Sequence, residues 1–483
     1  MSEIRNLNPT LVWELFDEIT RVPRPSKKEE KIIAYLVDFA ERHGLEYKCD
    51  KVGNVVMRKG ATAGCESLPT VVLQAHMDMV CEKNSDVQHD FERDPIRTRI
   101  VDGWVMAEGT TLGADCGIGV AAALAVLIDP TIEHGPIEAL FTVDEETGLT
   151  GAFCLADDMI SGKYLINLDS EDEGELFIGC AGGVDTVATF HYVSEPAPAN
   201  YAYFRIDVAG LCGGHSGDDI DKGRGNSNKI LARMLLESAL LYDLRLSRFD
   251  GGNLRNAIPR EAYAVVAVPA QKKKQLEIYF EEFKTLATDE FRLTEPNLRF
   301  SLAECEPEPF IDYKTQRALL RALVGLPNGV IAMSAAMPGL VETSTNLASV
   351  KMPSEGEIVV TTSQRSSVGH AKLYAMRSVE SVFELAGASV EHSDGYPGWA
   401  PNPDSQLLKW CEASYAELFG VQPKVRAIHA GLECGLFLEK YPHLEMVSFG
   451  PTLRGVHSPD ERIEISTVEK FWVLLLDVLK RVK

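Results

Sequence analysis

Four times along this chain a short apolar run, or the turn leading into a helix, ends on a His, Asp or Glu. Residues 70–75 (Thr-Val-Val-Leu-Gln-Ala) run into His76 and Asp78, and Asp115 stands just before an Ala-rich helix expected over 117–128. Residues 137–143 end at Asp144, Glu145 and Glu146, and 163–168 end at Asp169. Short apolar runs of this kind read as buried strands, whereas the spacing over 29–43 reads as helix. Such alternation predicts a mostly parallel α/β sheet. Open sheets of that type bind ligands outside the carboxyl ends of their strands, which is where these polar residues fall.

The same texture returns near the C-terminus, with a helix expected over 405–419, a strand over 444–449 and an amphipathic helix over 466–480. Between the two ends the pattern changes to longer alternating strands (201–208, 261–268, 357–364) mixed with helices (227–242, 272–286, 314–323), an α+β mixture. A chain of 483 residues exceeds one ordinary core. We therefore read an α/β catalytic domain, a mixed sheet flanked by helices, formed by 1–186 plus 389–483. An α+β lid of 187–388 is inserted in it, and the Gly- and Pro-rich stretch 392–403 serves as the re-entry linker.

Composition removes several classes of function. Lys and Arg number 48 against 71 Asp and Glu, a net charge of −23 that repels nucleic acid and anionic membrane surfaces. No apolar run approaches the ~20 residues that span a bilayer, and residues 1–21 lack the basic start and apolar stretch of a leader. The ten cysteines form no C-x-x-C pair, so they read as reduced thiols of a cytoplasmic enzyme, with Cys116 and Cys434 as small buried filler.

Each polar string has a plain alternative. In an extended segment His76 and Asp78 leave on one face, yet alone they pass for a surface His and a turn Asp. Asp115 could simply cap its helix; the glycines around it lack the Gly-Lys-Ser/Thr ending of a phosphate loop, and that reading is rejected. Asp144 to Glu146 repel one another unless a cation or solvent intervenes, and two adjacent Glu can divide into a ligand and a general base. The run 171–175 reads as a solvated acidic loop, and His457, between a strand and the last helix, as a loop residue. Taken together, imidazole and carboxylate donors without thiolate suit a co-catalytic zinc pair.

The motifs His-Met-Asp-Met-Val-Cys-Glu-Lys-Asn (76–84), Gly-Ala-Asp-Cys-Gly-Ile-Gly (113–119), Asp-Glu-Glu-Thr-Gly (144–148), Asn-Leu-Asp-Ser-Glu (167–171) and Gly-Val-His-Ser-Pro-Asp-Glu (455–461) resemble those of the zinc-dependent exopeptidase clan, which includes carnosinases, aminoacylases and aminoacyl-histidine dipeptidases. The likeness runs over nearly the whole chain. Where most of the clan has Val-Pro after the first metal motif, this chain has Met-Val-Cys-Glu-Lys-Asn, which resembles the aminoacyl-histidine dipeptidase branch.

The resemblance implies two Zn2+ per chain, with Co2+ or Mn2+ also suited. One ion would be held by His76 and Asp169, the other by Glu146 and His457, with Asp115 bridging. It implies that Asp78 orients His76 and that Glu145 is the general base. In the lid it implies that His215, in a glycine-rich turn, stabilises the oxyanion. Asn256 and Arg365 would contact the substrate carboxylate, for which a guanidinium fork is suited. Gly431 would open a helix and line the substrate pocket, and Glu433 is as readily structural. Without the resemblance Arg365 reads as a surface charge on an edge strand. An insert of this size could be a doubled lid, supplying His215 within one chain, although a homodimer is expected from the clan. The leading expectation is a dipeptidase acting on Xaa-His, including β-alanyl-histidine. The alternatives are an N-acyl-amino-acid amidohydrolase and an inactive binding or scaffold homologue.

Overall fold

The computed structural model describes residues 3–483; Met1 and Ser2, which begin the stretch read for a leader, lie outside the described residues. The chain divides into two compact units, the first comprising Met1–Gly179, Pro401–Ala427 and Leu432–Lys483 and the second Cys180–Ala400 and Ile428–Gly431.

The first unit is built on an eight-stranded sheet in the order Glu46–Cys49, Val55–Lys59, Ile137–Thr142, Val71–His76, Tyr164–Asn167, Glu445–Ser448, Glu175–Cys180, Lys424–Ile428. Its centre is parallel: Val71–His76 lies between Ile137–Thr142 and Tyr164–Asn167, and Glu445–Ser448 extends the set. The flanking pairs are antiparallel, so the sheet is mixed. Central strands covered on both faces must be apolar throughout, and every residue of Val71–His76 and Ile137–Thr142 is buried. The helix Ala114–Ile128 packs on Val71–His76, and Thr10–Thr20 packs on that helix. Cys116 to Leu127 are all buried, which is why the segment is Ala-rich and carries no polar face.

The second unit holds a nine-stranded antiparallel sheet with two four-stranded halves. One half orders Arg299–Glu304, Tyr201–Ala209, Ala262–Pro269 and Arg245–Gly251; the other orders Val341–Lys351, Glu357–Ser366, Gly182–His191 and Ser389–His392, with Gly329–Met333 added beside Val341–Lys351. The halves meet at the single pair Gly251 and Val350. Helices Ser227–Tyr242, Lys273–Glu290, Tyr313–Gly325 and Gly369–Leu385 share one continuous apolar core with both halves. The unit begins near 180 rather than 187 because Gly182–His191 pairs along its whole length with Glu357–Ser366 and cannot be divided. It ends near 400 rather than 388, since Ser389–His392 pairs with the same strand and Tyr396 bonds back to Gly183. Among the described residues no helix is long and apolar enough to cross a membrane.

Candidate metal and active site

His76 closes its strand at the carboxyl edge of the first unit's sheet. Asp78, fully buried, lies 3.3 Å from His76 Nδ1 and accepts from Ser26 Oγ (2.8 Å) and from the backbone N–H groups of Glu145 (3.1 Å) and Glu146 (3.3 Å). One carboxylate thus ties the end of Val71–His76 to the Glu pair that follows Ile137–Thr142. Asp144 belongs to this corner without facing the cluster; its φ is +49° and its oxygens accept from Thr147 and Thr150.

Asp115 does not cap its helix. Asp115 and Cys116 have non-helical dihedrals, and no side-chain cap is formed. The N–H groups that a cap would satisfy are taken by Glu461, whose Oε2 accepts from Leu112 (2.7 Å) and Gly113 (2.9 Å) and whose Oε1 accepts from Ala114 (2.8 Å) and Asp115 (3.3 Å). Asp115 is thereby released to present its carboxylate to the imidazoles. From the other side the buried Arg24 donates to the carbonyls of Met77 (3.1 Å), Asp78 (2.7 Å) and Gly113. The glycines of this loop serve that side chain: a Cβ at Gly117 would stand 2.6 Å from the Arg24 guanidinium.

Five polar side chains distant in sequence converge here. Asp115 Oδ1 is 3.0 Å from His76 Nε2, which is 3.4 Å from Asp169 Oδ1. Asp115 Oδ2 is 3.3 Å from His457 Nε2, which is 2.9 Å from Glu146 Oε2. His457 reaches in from an exposed loop with φ +60°. Glu145 joins His76 and Glu146, the three offering ligand atoms within 4.8 Å of one another.

The electrostatics show what the cluster lacks. Burial alone would raise the Asp115 carboxyl, but His457 and His76 outweigh it and hold it well below the usual range. Burial likewise would lower His76, and Asp169 and Asp115 reverse this, holding it well above the ordinary imidazole value. Hydrogen bonds to Asp115 and Glu146 carry His457 up to about 11. The remaining acids go the other way: burial pushes Asp169 up to about 7, and burial with Asp169, Glu433 and Glu146 around it lifts Glu145 well above the carboxylate range. Negative charge exceeds what two imidazoles balance, and Glu146 Oε1 is buried with no hydrogen-bond partner. Burial keeps the Cys116 thiol protonated, its Sγ donating to the Leu168 carbonyl, so the available donors are nitrogen and oxygen. That deficit and that donor set fit divalent cations.

Sequence reading left Glu433 as readily structural and missed other parts of this surround. Glu433 is buried, accepts from Gln74 Nε2 (2.6 Å) and Thr142 Oγ1 (2.9 Å), and is pushed by burial up to about 8. Glu461 lay within a quoted motif, four residues beyond His457, but nothing local marked its use; Arg24 carried no signal. The run 171–175 is half-buried rather than solvated. Asp172 pairs with Arg454 (2.8 Å), Glu173 accepts from Tyr415 Oη (2.6 Å), and Glu175 pairs with Arg426 (2.6 Å). Burial and the nearby Asp115 push Glu171 up to about 8.

In the second unit a two-residue ladder pairs His215 with Ala257, next to the exposed Asn256, whose carbonyl accepts from the Ser216 N–H (2.8 Å). The N–H groups of Gly217 (3.3 Å) and Asp218 (3.2 Å) point at His215 Nδ1, and the Asp218 carboxylate lies 3.4 Å from the same nitrogen. Arg365 is not on an edge strand: Glu357–Ser366 lies between Val341–Lys351 and Gly182–His191, and the side chain is 7% exposed. Its Nη1 donates to Tyr396 Oη (2.9 Å). His429 is buried, bonded through Nε2 to Ser344 Oγ (2.7 Å), and lowered by burial and by Arg365 to about 4. Gly431 does not open a helix, since Glu433–Lys440 has Leu432 as its N-cap; a Cβ at Gly431 would meet the Tyr396 ring at 2.8 Å.

An imidazole and carboxylate centre at the carboxyl ends of parallel strands, with an adjacent buried Glu, defines a class of hydrolase. The chain belongs to peptidase family M20/M25/M40, whose model matches residues 72–481. It is 44% identical over 483 residues, all of this chain and 99% of the relative, to the cytosol non-specific dipeptidase of Escherichia coli K12. It is also 44% identical to the aminoacylhistidine dipeptidase of Vibrio alginolyticus, whose crystal structure it matches with a TM-score of 0.95 over 100% of this chain and 98% of that one. The aminopeptidase PepT of Bacillus cereus, 18% identical with a TM-score of 0.58 over 99% of both chains, shares the fold.

Proposed function

We propose that the protein is a two-metal dipeptidase whose substrates include Xaa-His dipeptides such as β-alanyl-histidine. The observation that carries this reading is the division of Asp115, one oxygen toward His76 and Asp169 and the other toward His457 and Glu146. Those two pairs would each hold an ion, zinc being our choice and cobalt or manganese also suited, with Asp115 shared between them. When bound, such a pair polarises the scissile carbonyl and lowers the pKa of water.

The protein's own groups do the rest. Glu145 takes the proton of the attacking water and returns it to the leaving amine; its place beside His76 and Glu146 supports that role. Asp78 fixes the His76 ring and, through the Glu145 and Glu146 N–H groups, the start of the short helix that carries the base. His215 is suited to donate to an oxyanion, a contribution of ~3 kcal/mol in comparable sites. Arg365, Asn256 and the backbone at Gly431 bind the substrate, with Arg365 reading its free carboxylate. We further propose a lid role for the second unit, a cytoplasmic location and a homodimer. The ten free cysteines and the name of the Escherichia coli relative support the location.

The test is hydrolysis by the zinc-loaded protein of β-alanyl-histidine, other dipeptides and N-acetyl-histidine, with Glu145→Gln in parallel. Dipeptide turnover that Glu145→Gln abolishes while metal content holds is the expected result. Faster cleavage of N-acetyl-histidine would make the protein an amidohydrolase; absence of bound metal, or an active Glu145→Gln, would return it to a binding or scaffold role.

A further inference from the structure

Arg365 is a buried guanidinium with no carboxylate within ion-pair distance among the described residues, and its Nε has no partner. The nearby Asp218 lies instead 3.4 Å from His215 Nδ1, and the neighbouring His429 is neutral. A buried cation left without an anion is costly unless one arrives. What holds the guanidinium meanwhile is a phenol. Arg365 and Gly183 are cross-strand partners, and Gly183 exchanges backbone hydrogen bonds with Tyr396 on its other side (3.1 and 2.9 Å). The three residues lie in one row across the sheet. Because the middle one has no side chain, the phenol leans over it to reach Arg365 Nη1 (2.9 Å). A Cβ at Gly183 would stand 2.7 Å from the ring, and one at Gly431, on its other side, 2.8 Å. Two glycines in separate segments thus form a slot shaped for this ring.

We propose that Tyr396 is a specificity-determining residue for the substrate's C-terminus: its oxygen fixes the Arg365 guanidinium, and its own O–H donates to the carboxylate that Arg365 reads. This rests on the dipeptidase reading and deepens it. An acceptor on Nη1 restricts the flexible side chain to one pose, so less entropy is lost when the substrate binds. A carboxylate held by guanidinium and phenol together is distinguished from an amide, whose NH2 would face donors. The free C-terminal residue is thereby selected over a longer or blocked chain.

The experiment compares β-alanyl-histidine with β-alanyl-histidinamide on the zinc-loaded wild type, Tyr396→Phe, Arg365→Met and the double variant. The amide is read as a competitive inhibitor if it is not turned over. Phe keeps the ring in its slot and removes only the hydroxyl. The expected result is a KM for the acid raised about tenfold in Tyr396→Phe, the worth of one hydrogen bond to a charged group, with kcat within about threefold of wild type. The amide's KM or Ki should be unchanged, and Tyr396→Phe should cost less on top of Arg365→Met than it does alone, because only its direct bond to the carboxylate then remains to be lost. Equal shifts for acid and amide, or none for either, overturn the proposal and leave Tyr396 as packing. If Arg365→Met itself keeps the preference for the acid, the carboxylate role given to Arg365 fails instead, and that outcome is separate from anything Tyr396→Phe does. Thermal midpoints and metal content of each variant show whether a shift comes from lost folding.

Discussion

Glu461→Gln isolates the device that turns a helix start into the loop presenting Asp115 to the two imidazoles. The carboxylate accepts four consecutive N–H groups, two on each oxygen, at 2.7 to 3.3 Å. In Gln one oxygen becomes an NH2 donor facing two donors, so one pair of buried N–H groups loses its acceptor. At ~1–3 kcal/mol for each unsatisfied buried donor the loss is ~2–6 kcal/mol, and the two surviving bonds also weaken once the charge is gone. For a unit of this size ~3 kcal/mol corresponds to a thermal midpoint lowered by roughly 6–12 °C. Because the disturbed loop carries Asp115, the rise in midpoint that zinc produces should shrink as well. The assay is thermal denaturation of metal-free and zinc-loaded protein, wild type against Glu461→Gln. Midpoints within about 2 °C of wild type in both forms would refute the reasoning, since the N–H groups would then have other acceptors.

Three further outcomes follow from other parts of the molecule. His429 titrates at about 4 in the fold against 6.5 ordinarily, so the unfolded chain takes up a proton first as pH falls. Its stabilising contribution is full above pH 6.5 and declines toward pH 4, amounting to a loss on the order of 2 kcal/mol near pH 5. Urea midpoints should therefore fall less steeply with acid in His429→Gln than in wild type, and equal slopes would contradict this. Glu433, pushed by burial up to about 8, is protonated throughout the acid limb of the kcat/KM profile, so Glu433→Gln should leave that limb in place; a shift of the limb to lower pH would show that Glu433 carries a charge there. Gly117→Ala places a methyl 2.6 Å from the Arg24 guanidinium and 3.3 Å from Phe16. Overpacking of that kind destabilises by ~1–3 kcal/mol, and an unchanged urea midpoint would show that Arg24 can yield.

What could be read from the sequence was whatever depended on adjacent residues. Val71–His76, Ile137–Thr142 and Tyr164–Asn167 are short apolar runs with polar ends, and Ser227–Tyr242 has its signals at both ends, including Asn226 accepting from the Lys229 N–H (3.2 Å). Val341–Lys351 was not legible, although it is central to its sheet. Its first half reads Glu-Thr-Ser-Thr-Asn, without apolar alternation, and Thr343 to Asn346 are buried because neighbouring strands satisfy them. Thr343 bonds Ser366 Oγ (2.9 Å), Thr345 accepts from Gln364 Nε2 (3.2 Å), and Asn346 donates to the Ala257 carbonyl (2.8 Å). Asp115 has the local signature of a cap, and only Glu461, far along the chain, denies it that role. Arg24 and Tyr396 were invisible for the same reason: an Arg and a Tyr in loops have no periodicity, and their partners are set by the finished fold.

The central claim is that Asp115 is shared by two ions, one with His76 and Asp169 and one with Glu146 and His457. Anomalous diffraction at the zinc edge from zinc-loaded crystals tests it most directly. Two peaks per chain, one on either side of the Asp115 carboxylate and each within bonding distance of its own imidazole, are expected. A single peak, or peaks away from His76 and His457, would contradict the account.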